Sequence, residues 1–317
     1  MTDFIKSPLN YTGNKYRILD QIEEFFPKQI NQMIDLFCGG ATVGINVDCN
    51  KTIFIDKNEK VINLLHFISK QNFDSFLSEC EKIITNYSLS YSYKYGYKTY
   101  RQKCSNLKDN NGLKDFNKEG FYRLRNDYNS LKDKNTSEAN IMLYMLMVYG
   151  FNNDIRFNRN EEFNLPIGKT DLNKNNVNKI RIFIEKAGRK NISFVCASFT
   201  DNNFSRFLKG TDFVYMDPPY LIGDAVYNSS WNTEMEKALL VFIDSLMEKK
   251  INFALSNVIR KVGKINEPLT DWCSIHSNQI QIEKIKYHYR SASYHKIVRN
   301  ANEEEVLIFN REYANEN

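Results

Sequence analysis

No apolar run in this chain reaches the roughly 20 residues needed to span a bilayer. The longest, Ala139 to Tyr149, is interrupted by Asn140 and two tyrosines. There is no Cys-x-x-Cys pair. Cys38, Cys49, Cys80, Cys104, Cys196 and Cys273 stand apart, and the four histidines (His66, His276, His288, His295) are scattered. That spacing argues against a structural zinc site or a disulfide scaffold and for a reducing cytosol. Met1 to Lys6 lacks the basic-then-apolar pattern of a secretion signal, so a cytoplasmic protein is expected. No internal repeat and no G-x-G-x-x-G are found, and the latter counts against a nicotinamide dinucleotide. What is present is globular: 42% hydrophobic and 26% charged over 317 residues, which excludes a disordered chain.

The net charge of +5 says less than its distribution. Residues 61–190 carry 22 Lys and Arg against 14 Asp and Glu, while the remainder carries 21 against 24. A basic module on a near-neutral core suggests a polyanionic partner, against the plainer reading of a solvated surface with chance clustering.

Hydrophobic periodicity predicts a first helix from about Lys15 to Phe26, ended by Pro27. A strand at Met33–Phe37 then runs into Cys38-Gly39-Gly40-Ala41-Thr42-Val43-Gly44, read as a turn entering a helix. A second strand follows at Thr52–Asp56, and a helix at Val61–Ile68. Strand, glycine turn, helix, strand is the opening of a Rossmann-like unit. The pattern then stops for about 120 residues. Within that gap lie six tyrosines between Tyr87 and Tyr100, a wholly buried helix at Ala139–Val148, a hairpin-like stretch at Tyr149–Lys169 and an amphipathic helix on Val177, Ile180, Ile184 and Ala187. Strands are expected again at Ile192–Ala197, Phe213–Asp217, Ile251–Ser256, Ile280–Lys286 and Val306–Asn310. A capping box at Thr233 and Glu236 opens a further helix. The architecture expected is one α/β domain, residues 1–60 and 191–317, interrupted by a basic, aromatic insertion at 61–190.

Three motifs fit one chemistry. The glycine turn after Phe37 lets backbone approach a ligand closely, and Asp56, ending the next strand, can accept both hydrogen bonds of a ribose diol. Asp217-Pro218-Pro219-Tyr220 follows a predicted strand. It offers an anionic acceptor, a carbonyl acceptor and an aromatic face, a set that suits a planar base bearing an amino group. In that reading Tyr220 stacks through its ring and its hydroxyl is idle. Asn10-Tyr11-Thr12-Gly13-Asn14-Lys15 adds a ring, a flexible turn and a cation.

Tyr11-Thr12-Gly13-Asn14-Lys15, Asp35-Leu36-Phe37-Cys38-Gly39-Gly40 and Asp217-Pro218-Pro219-Tyr220, in that order, resemble the Dam family of adenine-specific DNA methyltransferases. The stretch from Tyr149 through Phe151, Arg156 and Asn158 to Gly168 resembles that family's DNA-contacting hairpin. The resemblance implies a Rossmann-like S-adenosylmethionine-dependent methyltransferase fold with an inserted, mostly helical target-recognition domain. It implies S-adenosylmethionine as methyl donor and adenine in double-stranded DNA as acceptor, with the target base flipped out. By matching position, Tyr11, Lys15, Asp35, Phe37, Gly39, Gly40, Asp56 and Asp217 would serve the cofactor. Asp217, Pro218 and Tyr220 would hold the adenine. Asn10, Phe151, Asn152 and Arg156 would meet DNA, Phe151 as a wedge in the base stack and Arg156 as a guanine reader.

Phe151 and Arg156 have opposite parity in a two-residue period. A turn must therefore intervene before both can face DNA, and Asn152-Asn153-Asp154 are residues that tolerate one. Two positions depart from the GATC-methylating members: Asn10 replaces a lysine and Asp154 an apolar residue. Both count against a GATC target. No metal and no membrane are expected, and the chain is read as a monomer, with room for a cognate restriction endonuclease. The alternatives are an enzyme of the same fold acting on RNA or on protein glutamine, and a catalytically silent DNA-binding module. The basic, Arg- and Asn-rich insertion weighs against a protein substrate. The tyrosine cluster is left open between a second DNA reader and an aromatic core patch.

Overall fold

The computed structural model describes residues 4–11, 13–104, 110–222, 231–286 and 303–311. Thr12, His288 and His295 lie outside them. The chain divides into two compact units, one of residues 1–14 and 58–190, the other of 15–57 and 191–317. The cuts fall close to those expected, except that the first 14 residues go with the inserted segment.

The second unit is built on a sheet of β1 (Gln32–Leu36), β2 (Lys51–Asp56), β3 (Ile192–Cys196), β4 (Phe213–Met216), β5 (Asn252–Lys261), β6 (Lys264–Ile265), β7 (Ile280–Lys284) and β8 (Glu303–Asn310). The order is β3-β2-β1-β4-β5-β8-β7, with β6 pairing on β5. The strands from β3 to β5 run parallel, and β8 inserts antiparallel between β5 and β7. All five residues of β1 and all four of β4 are buried. Strands covered on both faces read as continuous apolar runs, which is why the sequence shows them. On one face Ile34, Leu36, Ile53, Ile55, Val214, Met216, Phe253 and Leu255 pack with Leu239, Leu240, Ile243 and Leu246 of the Thr233–Glu248 helix. On the other, Phe26 meets Phe213 and Tyr215 with ring centroids 4.9 and 5.5 Å apart. This is a Rossmann-like α/β sheet.

Three local expectations are corrected. The helix expected over Lys15–Phe26 is an α-helix only over Leu19–Glu23; ahead of it a turn closes from Ile18 N to Lys15 O (3.0 Å). The glycine turn enters no helix. Phe37, Gly39 and Ala41 have φ of 64°, 47° and 61°, a left-handed backbone that cannot lead directly into a right-handed helix. The Gly44 N–H goes to the Asp35 carboxylate at 2.8 Å instead of to the carbonyl one turn back. The capping box is displaced as well. Asn232, not Thr233, caps the helix, accepting from Met235 N at 2.9 Å. Glu236 turns inward, where it accepts from Trp231 Nε1 (2.6 Å), Asn257 Nδ2 (3.0 Å) and Asn266 Nδ2 (2.7 Å).

The first unit is helical. Glu59–Ser69, Phe73–Asn86 and Lys114–Ser130 pack against Ser137–Tyr149, in which every residue from Ala139 to Tyr149 is buried, as its mostly apolar run predicts. Lys174–Arg189 completes the set, capped by Asn173. Among the described residues, no helix is long and apolar enough to cross a membrane.

Gly44 tests this account. A Cβ there would lie 2.7 Å from Phe54 Cε1 and 2.8 Å from Thr52 Cγ2. Overpacking of this kind typically costs about 1–3 kcal/mol. Gly44→Ala is expected to lower the free energy of unfolding by that amount, measured by urea titration; an unchanged midpoint would contradict the packing.

Candidate active site

The parallel register brings the carboxyl ends of β1, β2 and β4 together, the place where such sheets hold ligands. Asp35 lies on β1 opposite Phe54 of β2 and Tyr215 of β4. Flanked by two aromatic rings and 2% exposed, its carboxyl is pushed up to about 7. Burial is the main cause; the Gly44 N–H pulls the other way, and the charges of Asp217 and Asp56 add to the rise. Asp56, ending β2, accepts the Gly39 N–H at 3.0 Å. The glycine turn is thereby tied to the carboxylate that the sequence pairs with it.

Asp217 follows β4 directly. Its Oδ1 receives Lys15 Nζ at 2.7 Å and the Tyr220 hydroxyl at 3.1 Å, so both contacts fall on one oxygen. Burial makes its carboxyl a weaker acid than usual, and Lys15 and Tyr220 hold the shift in check. Lys15 is 3% exposed, and its ammonium lies 5.1 Å from the centre of the Tyr220 ring. The Tyr220 hydroxyl is therefore not idle. It also lies 3.1 Å from Glu305 Oε1 on β8, and Lys15 Nζ lies 3.8 Å from that same oxygen. The sequence reading missed Glu305. It sits in a run of three glutamates that looks like a solvated strand end, yet it is 7% exposed. The strand pairing that places it, Val258 with Glu305, was the signal unavailable from spacing alone. Phe37 packs edge-on to Trp231, ring centroids 5.6 Å apart, beside the glycine turn.

Gly40 and Pro218 lie in the same unit as these residues, and the remaining expected residues lie in the helical unit. The Tyr11 carbonyl accepts the Asn14 side-chain N–H at 3.1 Å. Asn10 Nδ2 donates to the Asn152 carbonyl at 2.6 Å, which joins two of the residues proposed to meet DNA. Phe151 is 47% exposed. The turn after it falls on Asn152 and Asn153, whose φ values are 57° and 53°. Arg156 is exposed, and its guanidinium is held by Asn164 through Nε to Oδ1 (2.9 Å) and Nη2 to the carbonyl (3.3 Å). Burial raises the Asp154 carboxyl, opposed by the Ile155 N–H and by Arg156. The expected hairpin has no strand ladder, only the isolated pairs Gly150–Ile167 and Phe157–Phe163. The Asn129 side chain takes the place of a neighbouring strand, accepting from Phe163 N (2.8 Å) and donating to Phe163 O (3.1 Å). Among the described residues, no group of three or more His, Cys, Asp or Glu is placed to hold a metal ion.

A model of the D12 class N6 adenine-specific DNA methyltransferases matches residues 11–302. The chain belongs to this family. Among the relatives of this D12-class chain, the type II methyltransferase M.FokI of Planomicrobium okeanokoites is 36% identical over 315 residues, covering 97% of this chain and 43% of that protein. The modification methylase StsI of Streptococcus sanguinis is 35% identical over 321 residues, covering 98% and 43%. The DNA adenine methylase of Haemophilus influenzae is 25% identical over 256 residues, covering 78% of each. The D12-class chain thus spans less than half the length of the first two.

The raised Asp35 has a consequence for stability. The folded chain binds its proton more tightly than the unfolded chain, whose carboxyl titrates near its ordinary value of 3.8. The contribution of this group to stability is therefore greatest below that value and is lost as pH rises from about 4 to about 7. Asp35→Asn keeps an acceptor for Gly44 and removes the titration. Its thermal midpoint is expected to vary less over that range than the wild-type midpoint does; parallel curves would show that Asp35 is not the group responsible.

Proposed function

We propose that this chain transfers a methyl group from S-adenosylmethionine to the exocyclic N6 of an adenine flipped out of double-stranded DNA, at a specific site. The observation that carries the reading is Asp217, set at the end of β4 with Oδ1 committed to Lys15 and Tyr220. Its Oδ2 is the acceptor we assign to one amino proton of the base, and the Pro218 carbonyl is assigned to the other. Those two contacts polarise the N–H bonds and favour a pyramidal nitrogen, the form with an available lone pair. Tyr220 supplies the stacking face. Family membership and the names of the relatives support the same chemistry. The term modification methylase in one of those names supports reading this chain as the partner of a cognate restriction endonuclease.

The residues fit the cofactor. Asp56, at the end of β2, accepts the Gly39 N–H at 3.0 Å and so stands beside the glycine turn. The left-handed turn at Phe37, Gly39 and Ala41 brings backbone rather than side chain to the end of β1. We assign Asp56 to the ribose, Asp35 with Phe37, Gly39 and Gly40 to the methionine portion, and Tyr11, Lys15 and Asp217 to the remaining contacts. When bound, S-adenosylmethionine supplies a methyl group on a positively charged sulfur. The charges of Asp217 and Asp56 favour the protonated form of Asp35, and a cation beside it relieves that repulsion. In the helical unit, Phe151 is assigned to the gap left by the flipped base. Arg156, oriented by Asn164, is assigned to a guanine edge.

The direct test is transfer of labelled methyl to duplex DNA, tRNA and protein side by side. Duplex DNA is expected to be the acceptor, with the label in N6-methyladenine. Asp217→Ala should lower the single-turnover rate by at least ~10²–10³-fold, the worth of one preorganised electrostatic contact. Tyr220→Phe should now show a measurable loss, because its hydroxyl touches Asp217 and Glu305. Preferred transfer to tRNA or protein, or an Asp217→Ala enzyme near the wild-type rate, would refute the assignment.

Calorimetry separates the charge argument from activity. A cationic ligand beside Asp35 favours its ionised form, so affinity for S-adenosylmethionine should rise with pH through about 7. S-adenosylhomocysteine, neutral at sulfur, should show a weaker dependence. Equal slopes for the two ligands would remove Asp35 from the neighbourhood of the sulfur.

A further inference from the structure

The tyrosine-rich stretch divides in the structure between buried and exposed rings. Tyr91 and Tyr100 are buried, whereas Tyr93, Tyr95 and Tyr97 are 36%, 57% and 47% exposed. Among the described residues, the other large hydrophobic side chains exposed in this unit are Phe151 and Ile182. Three rings within five residues left in water form an apolar patch that folding alone does not explain.

The backbone beneath these rings is firmly held. Asp171, 1% exposed, accepts from Ser90 Oγ (2.8 Å), Ser92 N (2.8 Å) and the Ser92 hydroxyl. Asn117 accepts from Ser90 N (2.7 Å) and donates to Ser90 Oγ (2.9 Å). Tyr93 N donates to the Leu172 carbonyl at 3.1 Å, and the Tyr149 hydroxyl donates to the Ser90 carbonyl. A buried polar network satisfied in this way fixes one path for the segment. Tyr149 stands two residues before Phe151, so the helix end that launches the proposed wedge also ties down the tyrosine segment.

Charge identifies the partner. From Ser88 to Cys104 the chain carries Lys94, Lys98, Arg101 and Lys103 and no acidic residue. Glu81 on the preceding helix offsets Lys94 at 3.8 Å and accepts from the Tyr91 hydroxyl, and Asp171 is enclosed. Lys98 and Lys103 are exposed and interleave with the rings, and Lys103 Nζ lies 5.9 Å from the centre of the Tyr100 ring. Rings that pack on sugars and hydroxyls that donate to phosphate oxygens, set among cations that pair with phosphates, fit a nucleic acid better than a protein.

We propose that Tyr93, Tyr95 and Tyr97, with Lys98 and Lys103, form a second DNA-contacting surface, separate from the Phe151–Ile167 loop, that engages duplex flanking the methylated site. The inference rests on the reading of the chain as a DNA methyltransferase. Its test measures equilibrium binding of the full chain to two labelled duplexes, one of about four helical turns and one of about one turn. Replacing Tyr93, Tyr95 and Tyr97 together by alanine should raise Kd for the long duplex by about 10–100-fold, the worth of one or two hydrogen bonds to charged phosphates, and leave the short one unchanged. The pair Lys98→Gln and Lys103→Gln should lower the salt dependence on the long duplex by about two units of slope. Lys98 and Lys103 are exposed, so the lysine pair should keep the wild-type thermal midpoint; Tyr93 and Tyr95 pack on Tyr91 and Tyr100, so binding by the triple variant is measured well below its own midpoint. Wild-type affinity on the long duplex in both variants would overturn the proposal while leaving the catalytic reading intact. So would an equal loss on both lengths, or a change of oligomeric state without a change in DNA affinity. A wild-type chain that binds neither duplex would overturn the DNA reading itself, and this inference with it.

Discussion

One buried ammonium organises the ligand end of the sheet. Lys15, 3% exposed, reaches Asp217 at 2.7 Å and Glu305 at 3.8 Å, while Asp35 and Asp56 crowd the same strand ends. Enclosing an ammonium is unfavourable unless its protons find carboxylates, and removing one partner of such a pair leaves a charge stranded. The lysine engages one oxygen of Asp217, just past β4, and lies over the Tyr220 ring.

Much of this was legible in the residues, for identifiable reasons. Central parallel strands are apolar throughout, so β1, β2 and β4 stood out, and their terminal carboxylates could be placed at once. The turn after Phe151 followed from parity and from two asparagines that tolerate a left-handed backbone. Features that depend on partners distant in sequence were hidden. Glu305 is buried only because β8 inserts beside β5. Glu236 was read as part of a capping box because its three donors, on Trp231, Asn257 and Asn266, are not visible in local spacing. The loop after Gly150 lacks a ladder because a single side chain, Asn129, performs a strand's hydrogen bonding at Phe163. Glycines in the turn after Phe37 suggested a helix start, but an acid-to-amide bond from Asp35 to Gly44 redirected the chain.

The tyrosine cluster shows why composition alone could not choose between core and surface. Adjacent rings share one backbone yet have opposite fates: Tyr91 and Tyr100 are buried, and the three between them are in water. The division is made by the buried Asp171 network, which anchors one side of the segment and leaves the other turned outward.

The inserted unit also has an evolutionary meaning. It occupies the link between β2 and β3, two parallel neighbours that pair Asp56 with Cys196. A parallel pair always needs a crossover of about a dozen residues, so the chain was obliged to leave the sheet and return at this point. Because the entropy of closing such a link grows only slowly with its length, the sheet places almost no limit on what the crossover contains. The length and composition of this crossover can therefore change while the side chains at the strand ends keep their places.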